Sequence, residues 1–182
     1  MILFINTCVR PESRTRRLAK QVLERIKGEE PVREIRPQNV HLNNAMLLRR
    51  SKLAEKGDFS DPIFEDARLF ASANKILIAA PYWDLSFPSS LKTFIEAINI
   101  VGLVFAYNED GTPYSLCKAK SLIYVTTAGG PIISDAYGYG YVRELARSFY
   151  GIMDVRCVSA EGLDVLGADV EGILAAAIEK LD

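Results

Sequence analysis

With 182 residues and a formal net charge of -1, the chain is long enough to fill one core and too short for two ordinary domains, and it has no electrostatic footprint for nucleic acid. Apolar residues make up 49% and charged residues 25%, a soluble globular composition that excludes long disordered tracts. No apolar run approaches the roughly 20 residues needed to cross a bilayer, and the opening Met-Ile-Leu-Phe-Ile-Asn lacks a basic flank and a small-residue cleavage site, so the expectation is one cytoplasmic domain spanning 1–182.

The first strand is expected at Ile2–Ile5, followed by a loop rich in hydroxyls and cations and by a helix whose Leu18, Val22, Leu23 and Ile26 form an apolar stripe. A second strand follows at Val32–Ile35, then helices at about Asn44–Glu55 and Pro62–Ala73. The third strand, Ile76–Ala80, is a continuous apolar run of the kind buried at the centre of a parallel sheet. Pro81 stops it, and Pro88 suits the first turn of a helix carrying Leu91, Phe94, Ile95 and Ile98. From Gly102 to Gly111 a β-rich run ends in Asp-Gly, which predicts a hairpin near 103–114. The fourth strand is Leu122–Thr126 and the fifth Val155–Ser159, with helices at Gly140–Tyr150 and Ala168–Leu181. This alternation reads as an α/β, doubly wound, five-stranded parallel sheet in the flavodoxin-like order 2-1-3-4-5. In that order the loops after Asn6 and Ala80 flank one crevice, and the loop after the fourth strand closes it.

Cys8, Cys117 and Cys157 are widely spaced and suggest reduced thiols, with neither a disulfide framework nor a zinc motif. His41 is the only histidine, which leaves no multi-histidine metal site. It lies in a polar segment and reads as an ordinary surface or loop residue.

Three loops converge in this fold. In the first, the helix N-terminus at Ser13, Arg14 and Thr15 offers free N–H groups, hydroxyls and charge suited to a monophosphate, with Thr7 and Arg10 as further contacts. Taken alone, Ser13 reads better as a helix cap. In the second, Pro81, Tyr82, Trp83, Asp84 and Leu85 could line a planar heterocycle, although an isolated Tyr-Trp pair is more often core. In the third, Thr127, Ala128, Gly129 and Gly130 could bring backbone N–H groups to an anionic ring edge, the paired glycines permitting positive φ; a plain tight turn is an equal alternative. Together the loops point to a mononucleotide bearing a flat ring.

The same residues resemble the FMN-dependent NAD(P)H:quinone reductases and NADH-azoreductases. Pro81-Tyr-Trp-Asp-Leu-Ser-Phe-Pro88-Ser-Ser-Leu-Lys92 resembles the family's Pro-Met-Tyr-Asn-Phe-x-x-Pro-x-x-Leu-Lys segment, Gly102-Leu-Val-Phe-Ala-Tyr with Gly111 its Gly-x-x-Phe-x-Tyr-x-x-x-Gly run, and Thr126-Thr-Ala-Gly-Gly130 its Thr-Ser/Thr-x-Gly-Gly loop. The resemblance implies that Ser13, Arg14 and Thr15 bind the FMN phosphate, that Tyr82, Trp83, Asp84 and Leu85 line the isoalloxazine ring, and that Thr127, Gly129 and Gly130 meet its pyrimidine edge. It also implies NADH or NADPH as donor, a quinone, azo or similar aromatic acceptor, ping-pong turnover and a homodimer in which Phe105 and Tyr107 stand near the partner's site and contact substrate. Tyr137 is a further candidate for ligand contact. Two departures stand out: Ala128 where azoreductases often carry Arg, and Asp84 where Asn is usual. A lost cation and a gained carboxylate disfavour an anionic reduced flavin, so a lowered potential or an altered substrate preference is expected.

Two rivals remain. A flavin-binding electron carrier or sensor would share the fold, but a freely diffusing flavodoxin is usually strongly acidic and this chain is nearly neutral. A phosphatase using Cys8 would exploit the Cys-x5-Arg spacing from Cys8 to Arg14, yet that loop has no glycine and contains Pro11.

Overall fold

Five strands, β1 (Ile2–Asn6), β2 (Val32–Ile35), β3 (Lys75–Ala79), β6 (Ser121–Thr127) and β7 (Asp154–Ala160), form one parallel sheet in the order β2-β1-β3-β6-β7. With the hairpin strands set aside, this is the expected 2-1-3-4-5. The computed structural model describes residues 1–38 and 43–181, so His41 lies outside the described residues.

The central strands read as unbroken apolar runs because both their faces are covered. Successive side chains point to opposite faces. Leu3, Ile5, Ile76, Ile78, Leu122 and Tyr124 therefore meet α3 (Glu65–Ser72), α4 (Ser89–Ile98) and α5 (Tyr139–Ser148). Phe4, Leu77, Ala79, Ile123, Val125 and Val158 meet α1 (Arg14–Ile26) and α6 (Val170–Glu179). The apolar stripe of α1 packs as expected, with Leu18 and Val22 fully buried. At the edge, β2 carries Arg33 and Glu34, charges that discourage pairing with another chain. Helix α2 (Asn44–Glu55) has the expected bounds and buries no residue completely.

Three elements differ from expectation in instructive ways. The helix expected over 62–73 divides into a 3-10 turn, Pro62–Phe64, and α3, because Asp61 accepts from the Ile63 N–H at 3.0 Å and Pro62 sets the tight first turn. Pro88 stands one position before α4 as its N-cap. The third strand ends at Ala79, although the Ala80 N–H still reaches the Val125 carbonyl at 2.9 Å. The hairpin is present as β4 (Phe105–Tyr107) and β5 (Pro113–Ser115), and Gly111 takes φ 82° in its turn. All three cysteines are free thiols. Among the described residues no helix is long and apolar enough to cross a membrane.

Candidate functional site

A cleft of about 650 Å³ opens at the carboxyl ends of β1, β3 and β6, where the strand order reverses. Its floor at one end is the N-terminus of α1. There Ser13 does cap the helix, its Oγ accepting from the Arg16 N–H at 3.2 Å. Capping uses an acceptor lone pair and leaves the hydroxyl proton free to donate, so the cap and the anion-binding reading are compatible. The N–H groups of Arg14 and Thr15 lie ahead of the first intrahelical bond and face outward from the helix end. Thr15 is anchored from below: its hydroxyl and that of Thr127 lie 2.6 Å apart in a buried contact joining the first loop to the end of β6.

The second loop forms one side of the cleft through Pro81, Tyr82 and Trp83. It is a two-residue hairpin: Trp83 and Ser86 exchange backbone hydrogen bonds at 3.1 and 2.7 Å, and Asp84 and Leu85 between them take φ 51° and 66°. Positive φ at both central positions matches the twist of a tight hairpin, and Asp tolerates it far better than Leu does. Asp84 and Leu85 thus shape the turn and do not line the cleft wall formed by their neighbours. The Arg10 guanidinium lies over the Trp83 ring at 5.9 Å from its centroid, so the first loop leans on the second. Tyr82 is held at both ends, by its N–H to the Thr127 carbonyl at 3.0 Å and by its hydroxyl to the Ser134 carbonyl at 3.2 Å.

The third loop contributes Thr127, Ala128 and Gly129. Neither Gly129 nor Gly130 adopts positive φ, which corrects the expected use of that pair. Gly129 packs closely on Asp164: a Cβ there would lie 2.9 Å from Asp164 Cγ, so a larger residue would push the exposed Asp164 side chain aside. Gly130 has open space around it and does not line the cleft. The N–H groups of Gly129 and Gly130 have no protein partner among the described residues, whereas that of Ala128 is committed to the Ala160 carbonyl at 2.9 Å.

A fourth loop, after β7, was missed by sequence reasoning. Gly162, Leu163 and Asp164 donate to the carbonyls of Gly130, Ala128 and Gly129 at 3.0, 3.2 and 2.8 Å, and Leu163 and Asp164 line the cleft. Arg14 reaches across to it, donating to the Leu163 carbonyl at 3.0 Å and to Asp164 Oδ1 at 2.6 Å. The signal available was Glu161-Gly162-Leu163-Asp164 directly after a strand, at the same sheet edge as the other loops.

Ten of the expected residues, Arg10 among them, therefore meet in the cleft, and Val9, Pro11 and Glu12 join them. Thr7 is buried beneath, its hydroxyl donating to the Ala79 carbonyl at 2.9 Å. Phe105 is a core residue, 5% exposed and set edge-on against Phe149, so its ring offers no stacking face to a ligand in this chain's cleft. Tyr107 is 49% exposed on the hairpin, away from the cleft, and Tyr137 is an exposed residue that does not line it. Cys8 is buried with its thiol directed to the Ala79 carbonyl, burial pushes that thiol above its ordinary range, and it does not line the cleft. Those features deprive the phosphatase reading of its nucleophile. Among the described residues no group of three or more His, Cys, Asp or Glu could hold a metal ion.

The geometry is matched by kinship. Residues 1–182 match the model of the flavodoxin-like fold family. The chain is 34% identical over 191 residues to FMN-dependent NADH:quinone oxidoreductase 2 of Clostridium acetobutylicum, covering 98% of this chain and 94% of that protein. It is 33% identical over 189 residues to the FMN-dependent NADH:quinone oxidoreductase of Clostridium beijerinckii, with the same coverage of 98% and 94%. Its fold is similar to that of an FMN-dependent NADH-azoreductase from Bacillus anthracis solved in complex with FMN, with a TM-score of 0.80 at 23% identity over 99% of this chain and 95% of that one. A helix N-terminus, an aromatic wall and a free Gly129 N–H around one cleft thus occur in a chain that belongs to the flavodoxin-like family of FMN-dependent NADH:quinone oxidoreductases.

Proposed function

We propose that the protein is an FMN-dependent NADH oxidoreductase that passes two electrons to a quinone, azo or similar aromatic acceptor. The observation that carries this reading is the pairing of ends within one cleft: the α1 N-terminus with Ser13 and Thr15 at one end, and the Tyr82-Trp83 wall with the free Gly129 N–H group towards the other. The residues present fit FMN. Ser13, Arg14 and Thr15 hold its phosphate, Pro81, Tyr82 and Trp83 flank the ring, and Thr127 with the Gly129 N–H group meets the polar ring edge. When bound, FMN supplies the electron-transfer chemistry, and the protein supplies orientation and electrostatics.

The chain's own residues position and exclude. Tyr82, tied to Thr127 and Ser134, cannot swing away from the ring site, so the wall is preorganised for a flat ligand. The Gly129 N–H group would be available to a negatively charged ring edge of the bound flavin. No side-chain acid or base is assigned: of the two carboxylates on the lining, Asp164 is paired with Arg14 and Glu12 stands in the first loop. Donor and acceptor use the same cleft in turn, which is a ping-pong sequence. Ala128, on the lining, removes a cation relative to the resembling azoreductase pattern, which lowers the flavin potential or alters substrate preference, whereas Asp84 stands in the turn and off the lining. We further propose a homodimer acting in the cytoplasm, with Tyr107 on the hairpin directed to the partner's cleft.

The test is the visible absorption spectrum of protein loaded with FMN and desalted, followed anaerobically by NADH and then by a naphthoquinone. Retained flavin absorbance that bleaches with NADH and returns with the quinone supports the reading. Flavin that is retained but not bleached by NADH would favour an electron carrier, and flavin lost on desalting would overturn the assignment.

A further inference from the structure

The first loop must leave β1, turn, and deliver its N–H groups to the cleft, and residues 7–13 contain no glycine to ease that turn. Its exit is fixed by the Ser13 cap on α1. Its entry is fixed by Asn6, the last residue of β1, which is 2% exposed and whose Oδ1 accepts from the Cys8 N–H at 3.1 Å. An Asn oxygen bonded to the N–H two residues on is a turn held by a side chain. Thr7 between them is tied to the Ala79 carbonyl through its N–H and its hydroxyl, so β3 secures the other side of the same turn. Cys8 then meets the Ser13 side chain, and the cleft lining begins at Val9.

The Asn6 amide is itself oriented from outside the site. Its Nδ2 donates to Glu34 Oε1 at 2.8 Å. Glu34 belongs to the edge strand β2 and stands opposite Phe4 in the register, and period-two alternation puts Asn6 on the same face as Phe4. An amide has one accepting and one donating end. Turned over, it would set its oxygen against the carboxylate and its NH2 against the Cys8 N–H, two repulsive contacts in place of two hydrogen bonds. Glu34 is a dependable acceptor: partial burial works to raise its carboxyl, but hydrogen bonds from Asn6 and Arg36 hold it below the usual carboxylate range, Arg36 Nε donating to the same oxygen at 2.8 Å. Neither Asn6 nor Glu34 lines the cleft.

We propose that Asn6 and Glu34 are positioning residues for flavin binding: Glu34 selects the orientation of the Asn6 amide, the amide holds the Cys8 N–H, and the turn so held sets where Ser13 and Thr15 meet the FMN phosphate. The inference rests on the flavin reading of the cleft. It gives Glu34 a role that its place on the sheet edge conceals. Only the phosphate end depends on this relay, because the aromatic wall has its own anchors, Tyr82 being tied to Thr127 and Ser134.

The test compares Glu34→Leu with Glu34→Gln. Both remove one negative charge, but only Gln keeps an oxygen that can accept from Asn6, so a long-range charge effect on the phosphate shows in both and a positioning effect in Glu34→Leu alone. In Glu34→Leu, FMN should bind about tenfold more weakly, read by quenching of flavin fluorescence, while riboflavin, which lacks the phosphate, should stay within about twofold of its wild-type affinity. In the flavin-free chain the Cys8 amide should exchange its hydrogen about tenfold faster, read by NMR. Glu34→Gln should stay close to wild type in both measurements. Asn6→Ala should lose at least as much as Glu34→Leu, and adding Glu34→Leu to it should change nothing further, since Glu34 acts through Asn6. Urea unfolding checks that each variant is folded. The proposal is overturned if Glu34→Leu leaves Cys8 exchange or FMN affinity unchanged, if Glu34→Gln is equally damaged, if riboflavin falls with FMN, or if the two single losses add. A wild-type chain that binds no FMN refutes the flavin reading instead, and the Cys8 exchange, measured without flavin, still decides whether Glu34 sets the turn.

Discussion

Replacing Thr15 with Val removes one half of the 2.6 Å hydroxyl contact with Thr127 while keeping the side-chain shape. Both residues are buried, at 2% and 9% exposure, so water cannot replace the missing partner. Leaving the Thr127 hydroxyl unpaired costs about 1–3 kcal/mol. With a urea dependence of about 2 kcal/mol per molar, the unfolding midpoint of the flavin-free protein should fall by about 0.5–1.5 M. The informative variant is the pair. In Thr15→Val with Thr127→Val neither hydroxyl remains to be satisfied, so the double variant should be little worse than either single one, with a coupling of about 1 kcal/mol or more. Thr15→Ser restores a hydroxyl and should recover most of the loss. For FMN binding the helix N–H groups remain in Thr15→Val, so affinity should fall about tenfold, the worth of one hydrogen bond to a charged group, and should not vanish. Single-variant costs that add within about 0.5 kcal/mol, or a Thr15→Ser variant as damaged as Thr15→Val, would refute the reasoning.

Further outcomes follow from the same geometry. Leu85 holds φ 66° at 44% exposure, and the left-handed region costs a branched residue about 1–2 kcal/mol, part of which glycine returns as unfolded-chain entropy, so Leu85→Gly should raise the urea midpoint by up to about 1 kcal/mol of stability; a lowered midpoint would show that Leu85 packing matters more. Asp164→Asn removes the carboxylate that engages Arg14 at 2.6 Å and frees the guanidinium for a phosphate. FMN should then bind up to about fivefold tighter at low salt, as judged by quenching of flavin fluorescence, and weaker binding would mean that Asp164 chiefly positions Arg14. Lys75, Asn74 and the N-terminal ammonium hold the Glu30 carboxyl down from 4.5 to about 2. Because the folded value is the lower one, the stabilisation is present above pH 4.5 and is lost as pH falls through about 2; Glu30→Gln should flatten the stability profile across that window, and an unchanged acid limb in urea titrations would count against it.

The sheet order was legible because the strands announce themselves as short apolar runs and right-handed crossovers leave few arrangements. Helix ends were read within two residues, except where Asp61 and Pro62 inserted a 3-10 turn whose capping bond is a three-dimensional matter. In the site, Ser13, Thr15, Tyr82 and Trp83 were found because they fall directly after strands that the topology brings together. The burial of Phe105 was not legible, because an aromatic on a hairpin reads equally well as surface or core, and only packing against Phe149 decides. The setting of Gly129 was also hidden, since a glycine packed against Asp164 looks the same in sequence as one needed for a turn. The loop after β7 carried no motif, and much of its role rests on main-chain bonds that leave little trace in the sequence.

Those main-chain bonds set how the protein can vary. Tyr82 to Thr127, Ala128 to Ala160, and Asp164 to Gly129 are all backbone contacts, so neighbouring loops are laced together without recourse to side-chain identity. A substitution on the lining alters charge or polarity at the ligand while the lattice beneath it keeps its dimensions. Chemical tuning and scaffold integrity are thereby separable properties, and the places where they recombine are few: Gly162 and the Asp84-Leu85 turn, which must accept a left-handed backbone.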